Sequence, residues 1–249
     1  LTGLLTDEFF FTETFPTRVQ VDKRTVDRNN STMGAIFFNV QRARASSFRA
    51  QLAYESLAPT DSSYSEALSL EGYAWLQMAE AYCSGVPVSH FDENGKLVAG
   101  TPLTTQQLVD TAIARFTKAQ GIGGTGAAHS TYLENLARVG QARALLFKGN
   151  AQLAAAATLV AGVPANFAYR IFSSSNTDRQ NNGLWEFNWN EGRWTQANSE
   201  GTNGLPFRNG DPRTPFVNLG VGFDQQRALF GTLKYPDRDA ATVLADGVE

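Results

Sequence analysis

A chain of 249 residues with 42% apolar side chains can bury the core of one large or two small domains, and no region is compositionally foreign to the rest. The formal net charge of −3, with 21 Lys and Arg dispersed along the chain, offers no basic field for nucleic acid. No run of about 18 apolar residues exists to span a bilayer, and the single cysteine, Cys83, excludes an internal disulfide.

In chain order, an aromatic stretch DEFFF at 7–11 is followed by alternating charges, Asp22, Lys23, Arg24, Asp27 and Arg28, the pattern of a solvated surface. Asn30-Ser31-Thr32 fits both a glycosylation triplet and a helix N-cap, and the cap is preferred because a helix over 31–57 follows. That helix has an apolar line of Met33, Ile36, Phe37, Val40, Phe48 and Leu52, with Arg42, Arg44 and Arg49 outside it.

A second helix is predicted over 64–84, opened by a Ser63/Glu66 capping box and stopped by Gly85-Val86-Pro87. Its polar residues, Glu66, Ser69, Gln77, Glu80 and Ser84, fall in one narrow line, so the helix is buried on most sides and Cys83 reads as a small core residue. A helix over 105–120, with Thr104 and Gln107 as its box, is expected to pair with it across the loop 85–103. Helices over 131–149, boxed by Thr131 and Glu134, and over 151–161 form a further hairpin. Gly72 and Gly140 lie mid-helix, where glycine costs about 1 kcal/mol against alanine, and close helix packing is the expected return. Short alternating helices of this kind are the mark of tetratricopeptide-like hairpins.

Beyond Pro164 the character changes. Between Phe167 and Trp194, Tyr169, Phe172, Trp185, Phe187, Trp189 and Trp194 are threaded among Asn176, Arg179, Asn181, Asn188, Asn190 and Arg193. Flat aromatic faces with amide and guanidinium donors suit the C–H face and hydroxyls of a sugar. The other reading is that these rings pin a long loop onto the helices. LWEFNW alternates as a half-buried strand would, with Trp185, Phe187 and Trp189 on one side, and Trp194, beyond Gly192, is the ring expected to be most exposed. Trp185, Trp189, Asn190, Arg193 and Trp194 are therefore the candidate ligand-binding residues. A last helix is expected from Asp239, in DAATVLADGVE.

No catalytic constellation stands out. His90 and His129 sit at loop edges in no metal-ligand spacing, DENG at 92–95 reads as a turn, and GIGGTG at 121–126 follows a helix and reads as a linker. Asp7 with Glu8, or Asp237 with Asp239, would make a glycosidase pair only at a defined separation in a cleft. No catalytic residue, metal or cofactor is assigned.

The segment EGYAWLQMAEAYCSGVPVS resembles the signature helix of SusD/RagB proteins, which runs into a Tyr-x-Gly-Val-Pro ending. TDEFFFTETFPTRVQVDKR, the stretch from Thr131 to Gly149, and GTNGLPFRNGDPRTPF at 201–216 are similar to further segments of that family, in the same order. The resemblance implies an all-α, tetratricopeptide-like scaffold with long irregular loops and a few short strands. Over 1–249 it implies a single SusD-like domain, with a hairpin core at 31–162 and a candidate ligand-facing loop region at 165–225. It also implies a fragment of a longer outer-membrane lipoprotein, anchored by lipid outside this chain and facing outward. Such a protein caps a SusC-type TonB-dependent transporter and passes it glycan or another oligomeric nutrient, without bond chemistry. The alternative is a tetratricopeptide-like scaffold or assembly subunit that binds another protein, and a weaker third is a glycan-degrading enzyme.

Overall fold

The computed structural model describes residues 2–91, 96–122, 128–200 and 204–247. It is helix-rich and mixed, with 48% helix and 13% strand. The elements in order are α1 (Thr2–Leu5), β1 (Phe9–Phe11), α2 (Pro16–Asp22), α3 (Ser31–Leu57), α4 (Ser62–Ala81), β2 (His90–Phe91) and β3 (Leu97–Val98). There follow α5 (Thr105–Gln120), α6 (Ala128–Phe147), α7 (Leu153–Val160), β4 (Ala168–Ile171), α8 (Gly183–Trp185), β5 (Trp194–Gln196), β6 (Phe216–Val221), β7 (Ala228–Thr232) and β8 (Thr242–Asp246). All sheets among the described residues are two-stranded: β1 with β5, β2 with β3, β4 with β8 and β6 with β7. No helix among the described residues is long and apolar enough to cross a membrane.

The chain divides into two compact units, one of Leu1–Ile36 with Arg170–Val243 and one of Phe37–Tyr169 with Leu244–Glu249. The second unit holds the helical hairpins. α4 packs on α5, α5 on α6, α6 on α7, and α4 also on α6, as the capped helices and short turns require. Thr104 and Gln107 form the expected capping box on α5. α4 is capped instead by Asp61, whose carboxylate accepts from the Ser63 N–H, and Ser63 lies inside the helix. Likewise α6 already runs from Ala128, so Thr131 is interior, and Glu134 pairs with Arg138 one turn on at 2.5 Å.

Phe116, fully buried, explains the mid-helix glycines: a Cβ on Gly72 would lie 2.7 Å from its ring and one on Gly140 2.4 Å from it. Tyr73 meets the same ring edge-on at 5.1 Å and donates its hydroxyl to the Leu136 carbonyl. α3 approaches through Val40 and Phe37 of the expected apolar line, the latter edge-on to Tyr82 at 5.2 Å, and through polar residues that the line left outside. Arg44 and Gln51 are buried while Leu52 is 51% exposed. Gln51 Nε2, Arg115 Nε and Trp75 Nε1 all donate to the buried Glu71 carboxylate, at 2.5, 2.6 and 2.9 Å. Arg44 lies over the Trp75 ring, and burial pulls its pKa down against the pull of Glu71.

Cys83 corrects the sequence reading, being exposed, because α4 ends at Ala81 and Tyr82 is already extended. His90, in β2, is exposed as expected, whereas the DENG turn, most of GIGGTG and the His129 side chain fall outside the described residues. The segment from Asp239 is not a helix but contains β8. Strands form on both sides of the LWEFNW segment, β1 before it and the β6–β7 hairpin after it.

Candidate functional site

The aromatic and amide segment lies in the first unit, and its backbone departs from the expected strand. Asn182 caps a helical turn by accepting from the Leu184 and Trp185 N–H groups, and the turn widens into a π-helix over Glu186–Asn190. Asn182 is itself anchored, donating to the Ala240 carbonyl at 2.9 Å. LWEFNW alternates like a strand, but a cap stronger than that alternation starts a helix, and helical rotation turns Phe187 away from Trp185 and Trp189, which stay on one side as residues i and i+4. Gly192 then takes φ +62 and turns the chain into β5, whose Trp194, Thr195 and Gln196 pair antiparallel with Phe11, Phe10 and Phe9 of β1.

Buried Asn188 ties these pieces together. Its amide donates to the Trp194 and Phe230 carbonyls at 2.7 and 3.0 Å, and its oxygen accepts from the Thr232 N–H at 2.8 Å. Sequence reading placed Asn188 among the sugar-facing amides; it joins the π-helix to β5 and β7 instead.

Three of the five candidate residues are engaged in this joint. Trp189 is half-buried, and its indole N–H donates to the Thr232 carbonyl at 2.9 Å. Trp194 is half-buried rather than the most exposed ring: it stacks on Phe187 at 4.5 Å and packs against the cluster of Leu4, Phe9 and Val21. Arg193 pairs with Glu13 and Glu191 and covers the Phe223 ring at 4.2 Å. Glu13, with a fully buried side chain, also faces Arg18 Nε at 3.3 Å. Burial raises the Glu13 pKa, while Arg18, Arg193 and the Trp194 indole hold it back.

The other two candidates, Trp185 and Asn190, lie outside this joint; Trp185 is half-buried, as Trp189 and Trp194 are. Asn190 is exposed and donates to Glu186 Oε1 at 2.8 Å, while Asn181 donates to the second oxygen, Oε2, at 2.6 Å. The Glu186 carboxylate is thus held in a fork of two amides on the turn that carries half-buried Trp185. Two amides and a fixed carboxylate on one turn offer donors and acceptors for hydroxyl groups. Asn181 and Glu186 were missed as site residues, since their i, i+4 and i, i+5 relation appears only once the segment is helical.

A second cluster in this unit comprises Asp7, Asp22, Glu200, Arg24 and Arg227. The alternating charges at 22–28 suggest a solvated surface, yet Asp22 is only 7% exposed, at the end of α2, and accepts from the Phe11 N–H. Burial raises its pKa to about 6, with Asp7 adding to the effect, and burial with Asp22 and Asp7 raises Glu200 to about 7. Arg24 bonds Asp7 at 2.6 Å, and the Arg227 guanidinium lies 4.6 Å from the Phe11 ring centre. No group of His, Cys, Asp and Glu among the described residues has the arrangement of a metal site.

No family model, no curated protein and no solved structure matches the chain.

Proposed function

We propose that this chain is a non-catalytic nutrient-binding protein of the SusD/RagB kind, which captures glycan and caps a SusC-type TonB-dependent transporter. On this reading it is held at the outer face of the outer membrane by a lipid anchor outside the chain. The observation that carries the sugar-binding part is the half-exposed fork of Asn181, Glu186 and Asn190 on the turn bearing Trp185. The helical-hairpin unit and the order of the resembling segments support the family assignment. Trp189, Arg193 and Trp194 then act as the frame that holds the turn, and Trp185 and Asn190 as the groups that touch ligand.

Calorimetric titration with soluble oligosaccharides tests it. Trp185→Ala should weaken binding by on the order of 1–3 kcal/mol with an unchanged melting temperature. Equal affinity of the variant and the parent chain would remove the sugar site from this turn. Release of reducing ends that is lost in Glu200→Gln would replace the binding reading by a glycosidase, because a carboxyl with a pKa of about 7 is suited to general-acid work.

A scaffold reading is favoured by one observation, the exposed apolar side chains of α3: Phe38 at 61%, Leu52 at 51% and Leu57 at 83%. A tetratricopeptide-like protein that binds another protein through α3 would lose its partner on Phe38→Asp with Leu52→Asp and keep its glycan affinity.

A further inference from the structure

The second unit contains a cavity of about 490 Å³ between α6 and α7, within the range of about 300–1,000 Å³ usual for small-molecule sites. Its lining is aliphatic, without an aromatic ring. Val139 from α6 and Val160 from α7 contribute branched side chains, and the buried lining residues are Val139, Ala142 and Ala156, at 4%, 6% and 3% exposure. The space exists because positions 142 and 156 are alanine: side chains of ordinary core size there would fill it. Leu146 and Leu153, 50% and 58% exposed, line the outer part.

The polar content of the lining is equally informative. It includes one cation, Arg143, and one anion, Asp246, so the two signs cancel. Arg143 is moreover committed to Glu80, with its Nε and Nη2 each 2.9 Å from a carboxylate oxygen. A sugar would lose the hydrogen bonds of its hydroxyls to water and regain few from Val, Leu and Ala, which costs several kcal/mol. A hydrocarbon gains about 25 cal/mol for each Å² it withdraws from water. An aromatic ring would find no ring to stack on.

We propose that the α6–α7 cavity is a binding site for an unbranched aliphatic chain with a neutral or zwitterionic head. A free fatty alcohol and a phospholipid acyl chain share that chemistry. The chain lies along Ala142 and Ala156 and leaves between Leu146 and Leu153, and the head remains at the rim formed by Arg143 and Asp246. This site is separate in chemistry from the amide fork of the first unit, and neither depends on the other.

The test is calorimetric titration of the whole chain with monomeric decanol, decanoate and dihexanoyl-phosphatidylcholine, each below its aggregation limit. Saturable decanol binding with little salt dependence is expected, at least as tight as decanoate. Phosphatidylcholine binding tighter than decanol assigns a phospholipid chain, and the reverse assigns a free one. Ala157→Phe adds a ring to the lining at an exposed position and should raise the decanol dissociation constant by about tenfold or more. Ala154→Phe, exposed on α7 and outside the lining, should leave it unchanged. Circular dichroism of both variants monitors folding, and Leu146→Asn, at a half-exposed lining position, gives a second route to the same loss. Absence of saturable decanol binding, or equal binding by parent and Ala157→Phe, would overturn the proposal. So would capture of decanoate alone that disappears in high salt, since that is attraction to surface charge.

Discussion

A Cβ placed on Gly140 would lie 2.4 Å from Cε1 of Phe116, closer than side-chain carbons approach one another, so the α5 ring occupies space that only glycine on α6 leaves open. Gly72 on α4 stands against the same ring, at 2.7 Å. Neither helix can accept a side chain there while the ring stays in place. Gly140→Ala and Gly72→Leu should therefore each overpack the hairpins by roughly 1–3 kcal/mol in denaturant melts. Phe116→Leu, itself destabilising, should reduce the penalty of Gly140→Ala in the double variant. Strict additivity would mean that the ring and the glycine do not limit each other.

Glu71 is the hub of the polar contact between α3, α4 and α5. Glu71→Ala strands the Arg115 guanidinium, the Gln51 amide and the Trp75 indole N–H together, and should cost about 3–5 kcal/mol in thermal or urea unfolding. Glu71→Gln should cost less, as it keeps an acceptor. A loss below about 1 kcal/mol for Glu71→Ala would show that water replaces the carboxylate.

Trp194 and Trp185 should separate stability from binding. Trp194→Ala opens space against Phe187 and the Leu4–Phe9–Val21 cluster and should lower stability by about 3 kcal/mol. Trp185→Ala should alter the melting temperature little and alter glycan affinity. Melts and titrations of the two variants side by side check this, and a stable Trp194→Ala would show that its ring supports no core.

Asp22 makes the first unit sensitive to pH. Its folded pKa of about 6 lies above the unfolded value of 3.8, so the folded state holds more protons across that interval. Stability is accordingly full below about pH 4 as far as Asp22 is concerned, and falls as pH rises through about 6. Glu200, raised to about 7, extends the fall by another unit. Asp22→Asn should remove roughly 1–3 kcal/mol of the decline between pH 4 and pH 8. An unchanged pH profile in that variant would place the titration elsewhere.

The helical hairpins were legible in the sequence because every determinant is local. The 3.6-residue period, the Thr104–Gln107 box and the Asn30 cap that accepts from the Met33 N–H at 3.0 Å all act within a few residues. Even there, choosing between Asp61 and Ser63 as the cap of α4 needed backbone coordinates, since both side chains can accept the same kind of hydrogen bond. The first unit was decided by long-range contacts. Asn182 reaches Ala240, Asn188 reaches Phe230 and Thr232, and β1 finds β5 across most of the chain. Those bonds make a helix of a segment that alternates like a strand and set half-buried Trp194 against the Leu4–Phe9–Val21 cluster. The sequence determined which side chains were present for a site. Whether each became frame or contact depended on which buried donors and acceptors had to be satisfied, and that is a property of the folded whole.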